Sequence, residues 1–135
     1  MGTYQVAYRY EPDSDAVIPT RHISYRDEGR IQEIAGMIRR LDALPTLDVI
    51  GLDYVRLGFG GYELVDEFLS DMDLEKPAGW ESWGQESKMK WLASHVEVER
   101  DRAVLVRWNW WRAHKTALVV KRILDTAAPR KPVWV

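Results

Sequence analysis

The sequence predicts an α+β fold in which an antiparallel-rich β-sheet of about five to six strands carries about three helices, packed mainly on one face. Alternating apolar residues near the start and in the last third of the chain predict strands, because successive strand side chains point to opposite faces. Apolar residues at helical spacing predict helices in three other segments. With 135 residues, 46% of them hydrophobic, we expect a single domain over residues 1–135.

The N-terminal region predicts a β-hairpin. Tyr4, Val6, Tyr8 and Tyr10 alternate with other residues, which is typical of a half-buried strand. The segment EPDSDAVIP predicts a loop. A second strand near residues 21–25 would pair with the first.

The next segment predicts the first helix. Asp27 is a suitable N-cap residue, and Pro45 would end the run. The apolar residues at helical spacing between them are Ile31, Ile34, Ala35, Ile38 and Leu41.

Residues 47–58 carry apolar side chains at both strand parities, which favours one interior strand. Gly58, Gly60 and Gly61 then stand between this strand and the next helix, an order that phosphate-binding loops also use. Carboxylates follow at once, and they would compete with a phosphate for the positive end of the helix. We therefore interpret these glycines as a tight turn.

The second helix is predicted over YELVDEFLSDM, where apolar and acidic residues lie on opposite faces. The apolar stripe consists of Leu64, Val65, Phe68, Leu69 and Met72, and the acidic face consists of Glu63, Asp66, Glu67 and Asp71. This acidic face is expected to be solvated. The following segment predicts an irregular loop that carries Trp80 and Trp83, because Pro77, Gly79 and Gly84 interrupt it.

The last third of the chain predicts a second hairpin, a helix and a short strand. HVEVER and AVLVRWNWW would pair around a turn at Asp101 and Arg102. In that hairpin the core-facing residues would be Val96, Val98, Val104, Val106, Trp108 and Trp110, whereas Trp111 would lie on the polar face. The third helix would carry Ala117, Val120, Leu124 and Ala127 up to Pro129, and KPVWV would form the last strand.

Charge is sorted along the chain, although the net charge is only −2. Residues 61–86 carry eight acidic side chains and one lysine, whereas residues 100–131 carry nine basic and two acidic side chains. The two segments could neutralise each other in the fold, or they could form a dipolar surface that steers a charged partner.

The segment RWNWWRAHK suggests an alternative function. Single-stranded nucleic acids stack their bases on exposed aromatic side chains along a basic groove. Arg107, Trp111, Arg112 and Lys115 could form such a platform. The acidic overall charge and the lack of a nucleic-acid motif argue against it.

Reactive and metal-binding groups are sparse. His22, His95 and His114 are isolated in the sequence, and the chain has no cysteine, so neither a metal site nor a cofactor is predicted. Ser94 and His95 would point to opposite faces of a strand, so no catalytic residue is assigned and an enzyme is the less favoured reading. No stretch approaches the ~20 apolar residues of a membrane span, and the start does not resemble a signal peptide, so we expect a cytoplasmic protein.

The order of predicted elements, and above all the C-terminal ALVVKRILDTAAPRKPVWV, resembles bacterial immunity proteins of polymorphic toxin systems. The resemblance covers mainly the last twenty residues or so, and the WESW segment departs from the family pattern. It implies an inhibitor that binds a cognate toxin. A cationic toxin that acts on nucleic acids would be attracted by an acidic surface.

From these observations we expect a tryptophan-rich, non-enzymatic protein-binding domain with a protein partner, such as a basic toxin domain. Binding to nucleic acid is the alternative. The residues expected to contact a protein partner are Glu63, Asp66, Glu67, Asp71, Asp73, Trp80 and Trp83.

Overall fold

The structure is a computed structural model that describes residues 4–53 and 60–135. Within these ranges the chain is α+β, with four α-helices and two pairs of short strands. In chain order the elements are β1 (Val6–Glu11), β2 (Ala16–Ile23), α1 (Glu28–Asp42), β3 (Ile50–Gly51), α2 (Val65–Asp71), α3 (Gln85–Ala93), α4 (Arg102–Ala127) and β4 (Val133–Trp134). The prediction of a sheet with five to six strands is wrong, because the two strands predicted in the second hairpin are helical and the remaining strands form two separate pairs.

The predicted N-terminal hairpin is present as β1 and β2, which pair antiparallel. A 3₁₀ turn at Pro12–Ser14 joins the strands, so β2 begins earlier than the predicted residues 21–25. The register shifts between Val6 and Tyr8, and there the Tyr8 amide donates a hydrogen bond to the Glu63 carboxylate at 2.9 Å. The hairpin is thereby attached to the segment that begins α2.

Helix α1 begins at its predicted cap. The Asp27 carboxylate accepts hydrogen bonds from the backbone of Arg30 at 2.9 Å and of Gln5 at 2.6 Å. The helix buries Ile31 and Ile38 against α4, whose far end lies beside it. One side chain thus caps α1 and holds the start of the hairpin next to it.

The predicted C-terminal strand is present as β4, which pairs in parallel with β3. Asp42, at the end of α1, positions it by accepting hydrogen bonds from the backbone N–H groups of Arg130 at 3.0 Å and Lys131 at 2.9 Å. The bond from Lys131 is the main cause that lowers the pKa of Asp42 below its ordinary value. Of the strand predicted over residues 47–58, residues 47–53 are described and only β3 within them is a strand; residues 54–59 lie outside the described residues.

The tight turn predicted at the glycines is seen for Gly60 and Gly61, both of which have positive φ angles of 130° and 95°. The Gly61 amide donates to the Tyr8 carbonyl at 2.9 Å. A Cβ at Gly60 would lie 2.8 Å from that same oxygen, so the turn needs a residue without a side chain. Gly58 lies outside the described residues.

The predicted second hairpin is wrong. Its first strand, HVEVER, falls mostly in a π-helical turn over Ser94–Val98, and its second strand forms the first half of the 26-residue helix α4. Asp101, expected in a hairpin turn, is instead the N-cap of α4 and accepts from the amides of Ala103 and Val104. The helix predicted over residues 117–127 is the second half of α4.

The tryptophans of α4 follow helical rather than strand periodicity. Trp108 is 0% exposed and Trp111 is 2% exposed, whereas Trp110 is 59% exposed. The burial of Trp108 is therefore confirmed, and the predictions for Trp110 and Trp111 are wrong. Trp108 stacks on Tyr62 at 5.6 Å between ring centroids, and Phe68 lies edge-on to it at 5.0 Å.

Two apolar clusters share α4. The first surrounds Trp108 and contains the buried residues of α2, α3 and the first half of α4. The second joins Ile31, Ala35 and Ile38 of α1 to Ile123 and Ala127 of α4. Helix α4 therefore connects the packing of the two regions.

Truncating the α4 tryptophans one at a time tests which of them face the core. We expect Trp108→Ala and Trp111→Ala each to lower the free energy of unfolding by about 3–5 kcal/mol, because each opens a large cavity. Trp110→Ala should cost less than about 1 kcal/mol, since its ring is largely in solvent. Urea denaturation measures all three. A cost for Trp110→Ala as large as that for Trp108→Ala would contradict the helical register.

Candidate functional site

The acidic residue that begins the α2 region is a structural group. Glu63 is only 5% exposed. Its Oε1 accepts from the Ser24 hydroxyl at 2.8 Å, and its Oε2 accepts from the Tyr8 amide at 2.9 Å. Glu63 was expected on a solvated face, but it joins the hairpin to the α2 region inside the protein.

Asp66 holds two other segments against α2. It accepts from the indole N–H of Trp80 at 2.7 Å and pairs with the ammonium group of Lys88 at 3.2 Å. Burial raises the pKa of Asp66, but the Trp80 hydrogen bond and Lys88 together outweigh burial and lower it below its ordinary value. The Asp66 charge is therefore stabilised in the folded protein.

The next carboxylates of α2 also have partners within the chain. Glu67 accepts two hydrogen bonds of 2.6 Å from the Arg26 guanidinium, which raise the pKa of Arg26. Asp71 is exposed but accepts from the Trp111 indole at 2.8 Å. Asp73 is exposed and has a positive φ of 50°. The acidic face predicted for the second helix is thus largely engaged in internal contacts.

The two tryptophans of the WESW segment differ in exposure. Trp80 is 2% exposed and packs edge-on against Trp91 with 5.3 Å between ring centroids. Trp83 is half-buried and lies 5.3 Å from Trp80 by the same measure. The predicted loop contains a 3₁₀ turn at Trp80–Ser82. Trp80 is therefore a core residue, whereas part of Trp83 is available at the surface.

Exposed acidic side chains are concentrated between the end of α2 and the start of α3. We call residues 71–86 the acidic surface. Its exposed acidic residues are Asp71, Asp73, Glu75, Glu81 and Glu86. Among the described residues, the ion pair formed by this group joins Glu81 to Lys76 at 2.9 Å. These exposed charges stand on both sides of the half-buried Trp83 in the sequence.

The basic and aromatic segment 107–115 does not present its residues together. Lys115 lies over the buried ring of Trp111, 5.5 Å from its centroid. Arg112 is half-buried over the Trp108 ring, also at 5.5 Å, and burial lowers the pKa of Arg112. Arg107 is exposed. Trp111, which would stack bases in the nucleic-acid alternative, therefore lies in the core.

Two contacts near this segment were not foreseen. The Tyr62 hydroxyl donates to the Glu97 carboxylate at 2.5 Å, and burial followed by this hydrogen bond raises the pKa of Tyr62 well above its ordinary value. Trp110 and His114 stack on the surface with 5.1 Å between their ring centroids. Their spacing of four residues is the signal for the second contact, because residues i and i+4 are neighbours on a helix.

Within the described residues, Ser94 and His95 do not form a nucleophile and base pair. His95 Nδ1 lies 2.8 Å from the Trp91 carbonyl, to which it must donate. Ser94 donates to Glu99 at 3.3 Å rather than to His95, and both lie in the π-helical turn instead of the expected strand. In residues 4–53 and 60–135, no three His, Asp or Glu side chains are arranged to hold a metal ion. No helix in the same ranges is long and apolar enough to cross a membrane.

Comparison with known proteins gives no further assignment: no family model, no curated protein and no solved structure matches the chain. The resemblance to bacterial immunity proteins therefore stays a prediction.

The structural role of Glu63 can be measured directly. We expect Glu63→Ala to lower the free energy of unfolding by about 2–4 kcal/mol, because it removes two hydrogen bonds to a charged group and leaves the Tyr8 amide without its acceptor. The matched control Glu75→Ala, at an exposed position, should stay within about 0.5 kcal/mol of the parent chain. Urea denaturation compares the variants, and similar costs at both positions would show that Glu63 is not a structural group.

The Asp66 ion pair predicts a defined pH dependence. Because the folded-state pKa of Asp66 is lowered, its charge stabilises the fold above the ordinary aspartate pKa of about 3.9, and this contribution is lost as the pH falls through the folded-state pKa. Asp66→Asn should therefore cost about 1–2 kcal/mol at pH 7, and the difference from the parent should shrink towards pH 2.5.

Urea denaturation at pH 7, 4 and 2.5 tests this expectation. The control Glu81→Gln alters an exposed ion pair and should change stability by less than about 0.5 kcal/mol at every pH. A pH-independent cost for Asp66→Asn would mean that packing, not charge, explains its effect.

Proposed function

We propose that the chain is a non-enzymatic protein-binding domain that receives a basic protein partner on the acidic surface. The observation that carries this proposal is the separation of the acidic residues into two groups. Glu63, Asp66 and Glu67 bind partners within the chain, whereas Asp73, Glu75 and Glu86 are exposed and form no ion pair within the described residues. Charges that are not needed for internal contacts are free to act on a partner.

Trp83 supplies an aromatic contact within this surface. Half-buried tryptophans are frequent centres of binding energy, because a partner can complete the burial of a ring that is already held in place. Trp80 holds one side of the Trp83 ring. In this proposal the acidic side chains accelerate association, and Trp83 slows dissociation.

The partner class follows from the charge of the surface. A protein that acts on nucleic acid carries a cationic surface to approach phosphates, and an acidic domain can cover that surface. The resemblance to immunity proteins adds a toxin domain as the particular partner. Such a domain would be bound in the cytoplasm, where the sequence leads us to expect the chain.

The site differs in part from the one expected from sequence. The proposed site keeps three of the expected residues, Asp71, Asp73 and Trp83. It also includes three further exposed acidic residues, Glu75, Glu81 and Glu86. Glu63 and Trp80 are buried, so they support the site from inside. Nucleic-acid binding through residues 107–115 has less support, since Trp111 lies in the core.

Charge reversal at two exposed positions tests the proposal. Glu75 and Glu86 have no ion pair among the described residues, so Glu75→Lys together with Glu86→Lys should leave the fold intact. We expect association with the basic partner to slow by about tenfold at low salt, and its salt dependence to become weaker, as steering charges require.

The matched control is Asp13→Lys together with Asp48→Lys, which makes the same change of net charge at exposed positions outside the acidic surface. The partner is first isolated from the native host with the unmodified chain as bait, and its association rate is then measured by surface plasmon resonance at several salt concentrations. Equal slowing by both double variants would show that net charge, rather than the acidic surface, is responsible. An unchanged rate for the Glu75 and Glu86 variant would refute the proposal.

A further inference from the structure

Helix α4 has a second apolar face, opposite the one that it buries in the core. Seven apolar residues follow each other at alternating intervals of three and four positions. We call them the α4 seam: Ala103, Val106, Trp110, Ala113, Ala117, Val120 and Leu124. Such spacing places all of them on one side of a helix.

The seam is largely in solvent. Val106 and Trp110 are each 59% exposed. Three of the others are exposed as well, and only Val120 and Leu124 are half-buried. Towards the end of the helix the seam forms one wall of a groove of about 530 Å³ that also includes Val135.

Most of this face does not contribute to holding α4 in place; only Leu124, at its end, packs against the second apolar cluster. The residues that α4 buries are Trp108, Trp111, Thr116, Ile123 and Ala127. An amphipathic surface helix normally presents polar side chains opposite its buried stripe. A continuous apolar row at that position is typical of a contact surface.

The shape of the seam points to a helix as its occupant. Apolar residues at three-four spacing are the pattern through which two helices pack side by side. The alanines at positions 103, 113 and 117 leave room for a close approach, while Trp110 provides a large side chain to insert between residues of the facing helix.

The charges beside the seam define the partner further. Arg102, Arg107 and Lys121 flank it, and Arg102 and Arg107 form no ion pair within the described part of the chain. Over its whole length α4 carries six basic side chains and one acidic one. Basic flanks favour acidic residues on the facing helix, and they would repel a second copy of α4.

We propose that the α4 seam binds an amphipathic helix of another protein, with acidic residues flanking its own apolar seam. This surface is distinct from the acidic surface and has the opposite charge. It therefore does not rest on the function proposed above.

A pair of designed peptides tests the proposal on the full chain. Each is a fluorescently labelled helix of four heptads with leucine and alanine at the seam positions; one carries glutamate at the flanking positions, and the other carries lysine. Fluorescence anisotropy at low salt should show the glutamate peptide binding at least about tenfold more tightly, because only its charges complement the flanks.

Two variants locate the contact. Trp110→Ala should weaken binding of the glutamate peptide by about tenfold or more, as loss of a central aromatic does. Ala117→Arg adds a positive charge, which by itself would strengthen attraction to the glutamate peptide. It also adds a bulky side chain that blocks packing along the seam. If the peptide binds at the seam, the steric effect dominates and binding becomes weaker. The control Val98→Ala, at a 58% exposed position outside the seam, should leave affinity unchanged.

Several results would overturn the proposal. Equal affinity for the two peptides would show that the basic flanks do not select an acidic partner. An unchanged affinity of the Ala117→Arg variant would show that the peptide does not bind at the seam. A dimer of the chain alone in sedimentation that Trp110→Ala dissociates would assign the seam to a second copy. Tighter, Trp110-dependent binding to single-stranded DNA or to phosphatidylserine vesicles would assign it to nucleic acid or to a lipid surface.

Discussion

The burial of Trp108 and Trp111 against Phe68 is the contact on which the arrangement of α2, α3 and α4 depends. The Trp111 ring lies 5.5 Å from Trp108 and 5.6 Å from Phe68, measured between centroids. A buried indole N–H usually finds an acceptor, and Asp71 of α2 provides one for Trp111, whereas the Trp108 N–H has no hydrogen-bond partner among the described residues. The same requirement at Trp80 is met by Asp66, so α2 needs acidic residues for structural reasons before any partner is considered.

This dependence explains how the sorted charges of the chain are used. The described ion pairs of residues 61–86 run to Arg26, Lys76 and Lys88, and none of these lies in the basic segment 100–131. Asp71 meets that segment through an uncharged indole. Among the ion pairs of the described residues, none joins the two segments. Each segment therefore keeps exposed charges of its own: negative charges of residues 61–86 at the acidic surface and positive charges of residues 100–131 beside the α4 seam.

The sequence predicted those elements in which one periodicity is clear. The cap at Asp27 and the spacing of Ile31, Ala35 and Ile38 allow only a helix. Between residues 95 and 111 two periodicities coexist, because Val104, Val106, Trp108 and Trp110 alternate while Val104, Trp108 and Trp111 recur at helical spacing. The choice between them depends on Phe68 and Asp71, which are distant in sequence. The internal partners of Glu63, Asp66 and Glu67 could not be predicted for the same reason, since an amphipathic pattern does not show which donors lie opposite.

The alanines of the α4 seam can serve both the free chain and a complex. Alanine has the highest intrinsic helix propensity, so Ala103, Ala113 and Ala117 favour a helix even where nothing packs on them. Their small side chains expose little apolar surface to water, which limits the cost of leaving that face uncovered. Trp110 is the exception, and its ring stacks on His114, which covers one side of it. A helix of this composition remains stable without a partner while its outer face stays available for close packing.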